Sequence, residues 1–335
     1  MPLLTATGIS TSFMTDRGRV RAVDGVDVSL DSGQVLGLVG ESGSGKSVLV
    51  RSIMGLYRND ARVIRSGTVV LAGQDLTALS ARQLRDLWGP ELAIVFQDPM
   101  SALNPVMRVG RQITEMLRHH LGISRSAADS RAVELLASVG IPDPERRARE
   151  YPHQLSGGLR QRVAIAIALS CEPKLLIADE PTTALDVTIQ AQILRLLQDQ
   201  QRQRQMAVIL VSHDFGVVAS LADEIAVMYA GHVIERGSAG HVIDQPEHPY
   251  TSALIASMPR LEVAPGQRLT AIGGRPPNLL ALGPGCPFEP RCNRHLPQCA
   301  EARPELMPGD GDHWRACWNP VPGDELALAG QDGAE

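Results

Sequence analysis

Residues 40–47 read Gly-Glu-Ser-Gly-Ser-Gly-Lys-Ser. The stretch fits G-x-x-x-x-G-K-[ST], a loop whose main chain cradles phosphate. Its flanks agree. Gln34 to Val39 is a short apolar, β-leaning run, and Ser47 to Leu56 reads as the first turns of a helix. A strand that feeds a glycine loop and then a helix is the context the motif requires. Gly43 and Gly45 let the backbone curl so that successive N–H groups face a β-phosphate, and Gly40, Glu41, Ser42 and Ser44 complete the loop. The helix N-terminus adds positive potential there. Lys46 is expected to reach the β- and γ-phosphates, and Ser47 to bind Mg²⁺ through its hydroxyl.

Working outward, the 335 residues suit about two domains. With 44% hydrophobic residues the chain can bury a sizeable core. A net charge of −5 gives no electrostatic case for nucleic acid as a partner. The N-terminus, MPLLTATGIS, has no basic-then-apolar pattern of a signal peptide. Apolar runs such as Val163 to Leu169 are far short of the ~20 residues a membrane helix needs, so a cytoplasmic protein is expected.

Leu3 to Phe13 and Ala22 to Leu30 alternate loosely and predict strands of a small antiparallel layer. Gly67 to Leu71, Leu92 to Phe96, Lys174 to Ala178, Met206 to Ser212 and Glu224 to Tyr229 predict further strands. Val109 to about Gly140 has helical period, with Ile113, Met116, Leu117 and Leu121 near one face. Ser156 can cap a helix over Leu159 to Leu169, and Val187 to about Gln203 is helical with Ile189, Ile193, Leu196 and Leu197 on its apolar face. Strands alternating with helices around a phosphate loop predict an α/β fold, a mostly parallel sheet with helices on both sides. The helical stretch from about 100 to 172 reads as an inserted subdomain. After Gly237 apolar periodicity fades, and Pro246 to Pro322 holds 14 of the 23 prolines. The organisation expected is a nucleotide-binding domain over 1–237, a Cys/Pro-rich extension over 238–325 and a frayed tail over 326–335.

Leu175 to Glu180, LLIADE, is an apolar strand ending in two carboxylates. Open α/β sheets bind ligands beyond the carboxyl ends of their strands. Asp179 is placed to hold Mg²⁺ opposite Ser47, and Glu180 to act as general base on the attacking water. Leu155 to Arg162, LSGGLRQR, places a hydroxyl, bare N–H groups and a helix start where a second anion site can form.

GESGSGKS, Gln97, LSGGLRQR, LLIADE, Ala184-Leu185-Asp186 and His213 occur in the order and spacing of the ATP-binding-cassette ATPases, which the chain resembles from about Leu3 to Gly237. The resemblance implies ATP and Mg²⁺ as ligands. It implies that Gln97 senses Mg²⁺ and the lytic water, that His213 touches the γ-phosphate, that Phe13 stacks on adenine and that Asp186 lies in a loop crossing a dimer interface. Ser156, Gly157, Gly158 and Gln161 would then act in trans on the nucleotide of a second cassette. Lys46, Glu180 and His213 are the expected catalytic residues. A narrower resemblance is carried by Phe96 to Pro105 (FQDPMSALNP), Tyr151 to Gly158 (YPHQLSGG), His248 to Thr251 (HPYT), Leu269 to Leu279 (LTAIGGRPPNL) and Gly285 to Cys292 (GCPFEPRC). These look like the dipeptide/oligopeptide (and nickel) importer ATPases. They imply a peripheral subunit on the cytoplasmic membrane face, with two permeases, a second and different ATPase subunit and an extracytoplasmic peptide-binding protein. A soluble, non-transport cassette ATPase would carry two cassettes or a long coiled coil, and this chain has neither. No ATP-site motif departs from consensus, so a non-catalytic adaptor is disfavoured.

Cys171 stands alone in an apolar stretch and reads as core. The spacing Cys286-x5-Cys292-x6-Cys299-x17-Cys317 supplies four thiolates that can hold Zn²⁺ or an iron–sulfur cluster. Zinc usually takes close pairs such as C-x₂-C, absent here. Disulfides are disfavoured in a reducing compartment, and unliganded cysteines remain an alternative. By resemblance, the extension is similar to a [4Fe-4S]-binding module remote from ATP.

Overall fold

The computed structural model describes residues 1–183, 185–258, 272–309 and 311–322. Expectations that fall on Ala184, on residues 269–271 and on the tail from 323 lie outside the described residues. The strands are β1 (Leu4–Thr15), β2 (Gly18–Leu30), β3 (Val35–Val39), β4 (Val63–Leu71), β5 (Gln74–Asp75), β6 (Leu92–Val95), β7 (Leu175–Asp179), β8 (Ala207–Ser212), β9 (Glu224–Tyr229), β10 (His232–Ser238), β11 (Met307–Pro308) and β12 (Trp314–Arg315). The helices are α1 (Lys46–Ile53), α2 (Ala81–Leu87), α3 (Pro99–Ala102), α4 (Val109–Leu121), α5 (Arg125–Ser138), α6 (Pro144–Arg147), α7 (Gly157–Leu169), α8 (Val187–Arg204), α9 (Phe215–Ala219), α10 (Ala239–Asp244), α11 (Pro249–Ala256) and α12 (Gln298–Glu301). The chain divides into two compact units, one of residues 1–4, 29–35 and 70–211, the other of residues 5–28, 36–69 and 212 onward.

In the first unit β6, β7 and β8 run parallel, with Leu92 opposite Leu175 and Leu175 opposite Ala207. All five residues of β7 are buried, as a strand covered on both faces must be. Ile193, Leu194 and Leu197 of α8 are buried as well. Helices α4 and α5 pack on each other and on α7. Ile113 and Leu117 are fully buried, whereas Leu121, expected on the same face, is 49% exposed. Gly122 ends α4 in the left-handed conformation (φ 64°) just beyond it, so Leu121 sits where the helix leaves its neighbours.

In the second unit β1 and β2 form a hairpin around Asp16-Arg17, and β4 flanks β1. Strand β3 pairs parallel with β9, which returns antiparallel as β10. The β9–β10 turn has positive φ at both Ala230 (48°) and Gly231 (83°), the geometry of a two-residue hairpin turn. Strand β12 then adds antiparallel to β10, with Glu235 opposite Arg315 and Arg236 opposite Trp314. Gly37 lets α9 lie against β3, because a Cβ there would come within 2.0 Å of Val218 Cγ1. The connection from β3 to α1 is the glycine loop.

Candidate functional site

The glycine loop is built as its sequence requires. Gly40, Gly43 and Gly45 have φ of 150°, 83° and 106°. A Cβ on Gly45 would lie 2.3 Å from the Ala22 carbonyl oxygen, so close approach as well as φ demands glycine. Lys46, 4% exposed, donates from Nζ to the carbonyls of Gly40 (2.7 Å) and Glu41 (3.0 Å). Those carbonyls hold the ammonium at the loop's centre. The Gly231 N–H donates to the Ser44 carbonyl at 2.8 Å, tying the loop to the β9–β10 turn. Ser47 falls in the first turn of α1. Phe13, at the end of β1, is half-buried and meets Tyr57 edge-on at 5.3 Å between ring centroids. Tyr57 therefore buttresses the Phe13 ring edge-on and does not extend its stacking face, and nothing local in the sequence pairs residues 13 and 57. His213 is exposed directly after β8, and the next residue, Asp214, caps α9 by accepting from Gly216 N and Val217 N.

The first unit carries the carboxylates. Asp179 is fully buried at the end of β7. Glu180 follows in the left-handed region at φ 49°, strain that a non-glycine residue tolerates only where its surroundings hold it. Its N–H donates to the Val211 carbonyl at 3.0 Å. Its Oε2 accepts from Gln97 Nε2 at 3.0 Å and from Thr183 Oγ1 at 2.9 Å. Gln97 is thus brought to Glu180 across 83 residues of sequence. Thr183 is a site residue that no motif announces, and the only cue for it in the sequence is a hydroxyl three positions after the second carboxylate.

Ser156 caps α7, its Oγ accepting from Leu159 N at 3.4 Å. Ser156 and Gly157 are exposed. Gly158 is glycine for packing, since a Cβ there would stand 2.8 Å from Ile189 Cγ2. Gln161 is buried at 1% exposure. Asp186 is exposed and caps α8 through Ile189 N at 3.0 Å.

The four cysteines of the extension line one small cavity, together with Phe288 and Trp318. Backbone N–H groups of Arg294 and Leu296 point at the sulfurs of Cys292 (3.4 Å) and Cys299 (3.5 Å). Burial pushes the Cys286, Cys292 and Cys317 thiols up, Cys317 to about 12. Without a cation they are neutral thiols in an apolar hollow; a metal would hold them as thiolates. Around tetrahedral zinc at about 2.3 Å, thiolates sit ~3.8 Å apart. Soft thiolate donors suit both zinc and iron–sulfur centres.

This module touches the glycine loop through residues that the motif does not announce. Arg291, between Phe288 and Cys292, is 4% exposed and makes a bidentate pair with Glu41, at 2.7 and 3.0 Å. Its guanidinium also donates to Tyr229 Oη at 3.2 Å and to the Gly273 carbonyl at 2.8 Å. Tyr250, from the HPYT stretch, accepts the Glu41 N–H at 2.8 Å. Tyr229, Tyr250 and Phe288 pack mutually at 4.5–5.3 Å between centroids. Burial raises the Tyr250 hydroxyl above its ordinary range and drives neighbouring His248 down to about 3.

The ABC transporter family model matches residues 23–183, and the model of the oligopeptide/dipeptide transporter C-terminal region matches 234–299. The chain is 48% identical over 316 residues to the oligopeptide transport ATP-binding protein OppD of Bacillus subtilis, covering 94% of this chain and 88% of that one. It is 47% identical to the dipeptide transport ATP-binding protein DppD of the same organism, covering 94% of each. Among solved structures, it is similar to a dimeric ATP-binding cassette in a post-hydrolysis state with ADP and Pi, at 26% identity and TM-score 0.63, over 70% of this chain and 98% of that one.

Proposed function

The chain belongs to the ATP-binding-cassette transporter family, and we propose that it hydrolyses MgATP to drive uptake of di- or oligopeptides through membrane permeases. The observation that carries hydrolysis is Glu180. Its carboxylate ends a buried strand, is held in left-handed backbone, and is oriented by Gln97 and Thr183. A base fixed in place needs no reorganisation when water attacks.

The residue roles follow. Gly40 to Ser47 with Lys46 bind the triphosphate; Ser47, Gln97 and Asp179, oxygen donors, bind its Mg²⁺. Glu180 takes the proton from the lytic water and His213 contacts the γ-phosphate. Phe13, with Tyr57 against it, stacks on adenine. Ser156, Gly157 and Gly158, with Gln161 behind them, close the site of a second cassette. The exposure of Ser156 and Gly157, and of Val187 (83%) beside Asp186, supports such a face-to-face dimer with a related ATPase subunit.

Residues 1–237 bind nucleotide and 238–325 form the extension. No helix among the described residues is long and apolar enough to cross a membrane. Two permeases, fed by an extracytoplasmic peptide-binding protein, dock on the loop after Gln97 and on α4. Met100 (41% exposed) and Val106 (82%) on that surface support this. Cys286, Cys292, Cys299 and Cys317 hold a [4Fe-4S] cluster, which when bound supplies a redox-active cross-link between loops of the extension.

The test is Glu180→Gln. Turnover falls 10²–10⁴-fold, in the range of a lost general base, while ATP still binds and ATP-bound dimers accumulate. Near-normal turnover overturns the assignment. Co-expression with the neighbouring permeases tests the transport reading: the chain purifies with them, or that reading fails.

A further inference from the structure

Outside the ATP site and the cysteine cavity, three ligand-type side chains converge. One ligand atom each from His241, Glu247 and His313 lies within 4.8 Å of the other two. The rings of His241 and His313 are 4.5 Å apart. His241 comes from α10, Glu247 from the segment leading into α11, and His313 from the turn before β12.

The bonding of His313 gives this cluster a meaning. His313 is fully buried. Its Nε2 lies 2.8 Å from Oε1 of Glu235, which is also fully buried. The Glu235 carboxylate also accepts the backbone N–H groups of Glu247 and His248, so both of its oxygens are engaged as acceptors. Its bond to His313 therefore places the ring proton on Nε2 and leaves a lone pair on Nδ1. That Nδ1 is buried and has no hydrogen-bond partner. It faces Glu247 Oε1 at 3.5 Å. A lone pair and a carboxylate turned toward each other repel unless something positive lies between them. A cation accounts for all three groups.

We propose that His241, Glu247 and His313 form a metal site for one divalent transition ion of the zinc class, with Glu235 as the carboxylate that orients His313. Two imidazole nitrogens and one carboxylate oxygen are the donor set of three-ligand zinc sites that keep a fourth position for water. The carboxylate–histidine pair behind the ligand is the arrangement that fixes tautomer and ring direction at such sites. Arg315 holds the other oxygen of Glu247 at 2.5 Å and so aims Oε1 inward. The function of the ion is to clip. Strands β11 and β12 have two residues each, too short to stand alone. Fastening His313 to α10 and to Glu247 anchors the hairpin that leads into Cys317, independently of any cluster on the thiols.

The experiment uses the full chain, purified anaerobically without a histidine tag, stripped with chelator and titrated with Co²⁺. Wild-type protein is expected to take up one Co²⁺ with visible d–d bands but no thiolate charge-transfer band. Cys292→Ser retains this ion. His241→Ala, at a half-exposed position where misfolding is not expected, weakens it at least 100-fold while ATP binding stays normal. Glu235→Gln weakens it 10–100-fold, as loss of an orienting carboxylate does. Paramagnetically shifted imidazole N–H signals, one fewer in His241→Ala, identify the ligands. Wild-type protein that binds Co²⁺ only through thiolates, or His241→Ala that binds as wild type does, overturns the proposal.

Discussion

In the glycine loop, eight consecutive residues present mostly main-chain groups, and three glycines at positive φ make room for them. In the extension, four thiols from a 32-residue span converge on one cavity, and the contacts that seat it come from side chains scattered over the second unit. The first site is written in neighbouring residues; the second is assembled by tertiary packing. They meet at Glu41, whose N–H is bound by Tyr250 and whose carboxylate is clamped by Arg291. The position after the first glycine of the motif is free in the pattern, yet here it fastens the loop to the cysteine module.

The sharpest way to separate the regions is Gly45→Ala. The new Cβ would strike the Ala22 carbonyl at 2.3 Å in a backbone at φ 106°. Calorimetry should find ATP binding abolished, while iron content of the extension is unchanged. The converse is Cys292→Ser. Anaerobic wild-type protein should be brown with about four irons per chain; the variant should be colourless with ATP affinity within a few-fold of wild type. Equal iron in both would remove Cys292 from the ligand set, and iron-free wild-type protein with stoichiometric zinc would replace the cluster by zinc.

A smaller effect probes β10, the strand to which the end of the extension is added. His232 donates from Nδ1 to the Asp24 carbonyl at 2.9 Å while Arg303 approaches its other nitrogen. Burial, helped by the Arg303 charge, lowers its pKa from 6.5 to about 4. Between those values the unfolded chain binds the extra proton. The contribution is thus complete above about pH 6.5 and is lost as pH falls toward 4. It amounts to at most about 3 kcal/mol. Denaturation midpoints from pH 7 to 4 should fall, and His232→Gln should flatten the slope.

The smallest expected change tests the bridge itself. Arg291→Ala leaves Glu41 partly exposed and able to rehydrate, so about 1 kcal/mol of loop ordering is lost, some fivefold to tenfold in ATP affinity. Full iron content with weakened ATP binding would mark Arg291 as coupling the regions. Unchanged affinity would mean that the loop is organised without the extension.

Much of the first region was legible in the sequence. The loop, its strand and helix, the buried run of β7 and the cap at Ser156 are local, and each follows from period, glycine placement or a capping hydroxyl. Strand β10 was not legible, because HVIERGS does not alternate and its pairing with β9 rests on a positive-φ alanine. The exposure of Leu121 depends on where Gly122 stops a helix, and helix ends are weakly written.

By itself, then, the sequence determined the α/β phosphate-loop fold, the carboxylate pair, the helix capped by Ser156 and the cysteine set, since each is specified by residues close along the chain. Only the tertiary structure decided that Phe13 meets Tyr57, that Arg291 clamps Glu41 across 250 residues, and that His241, Glu247 and His313 converge behind Glu235. Such contacts carry no period and no spacing. They form where burial leaves a charge or a ring nitrogen needing a partner, and the fold alone determines which distant residue is near enough to supply it.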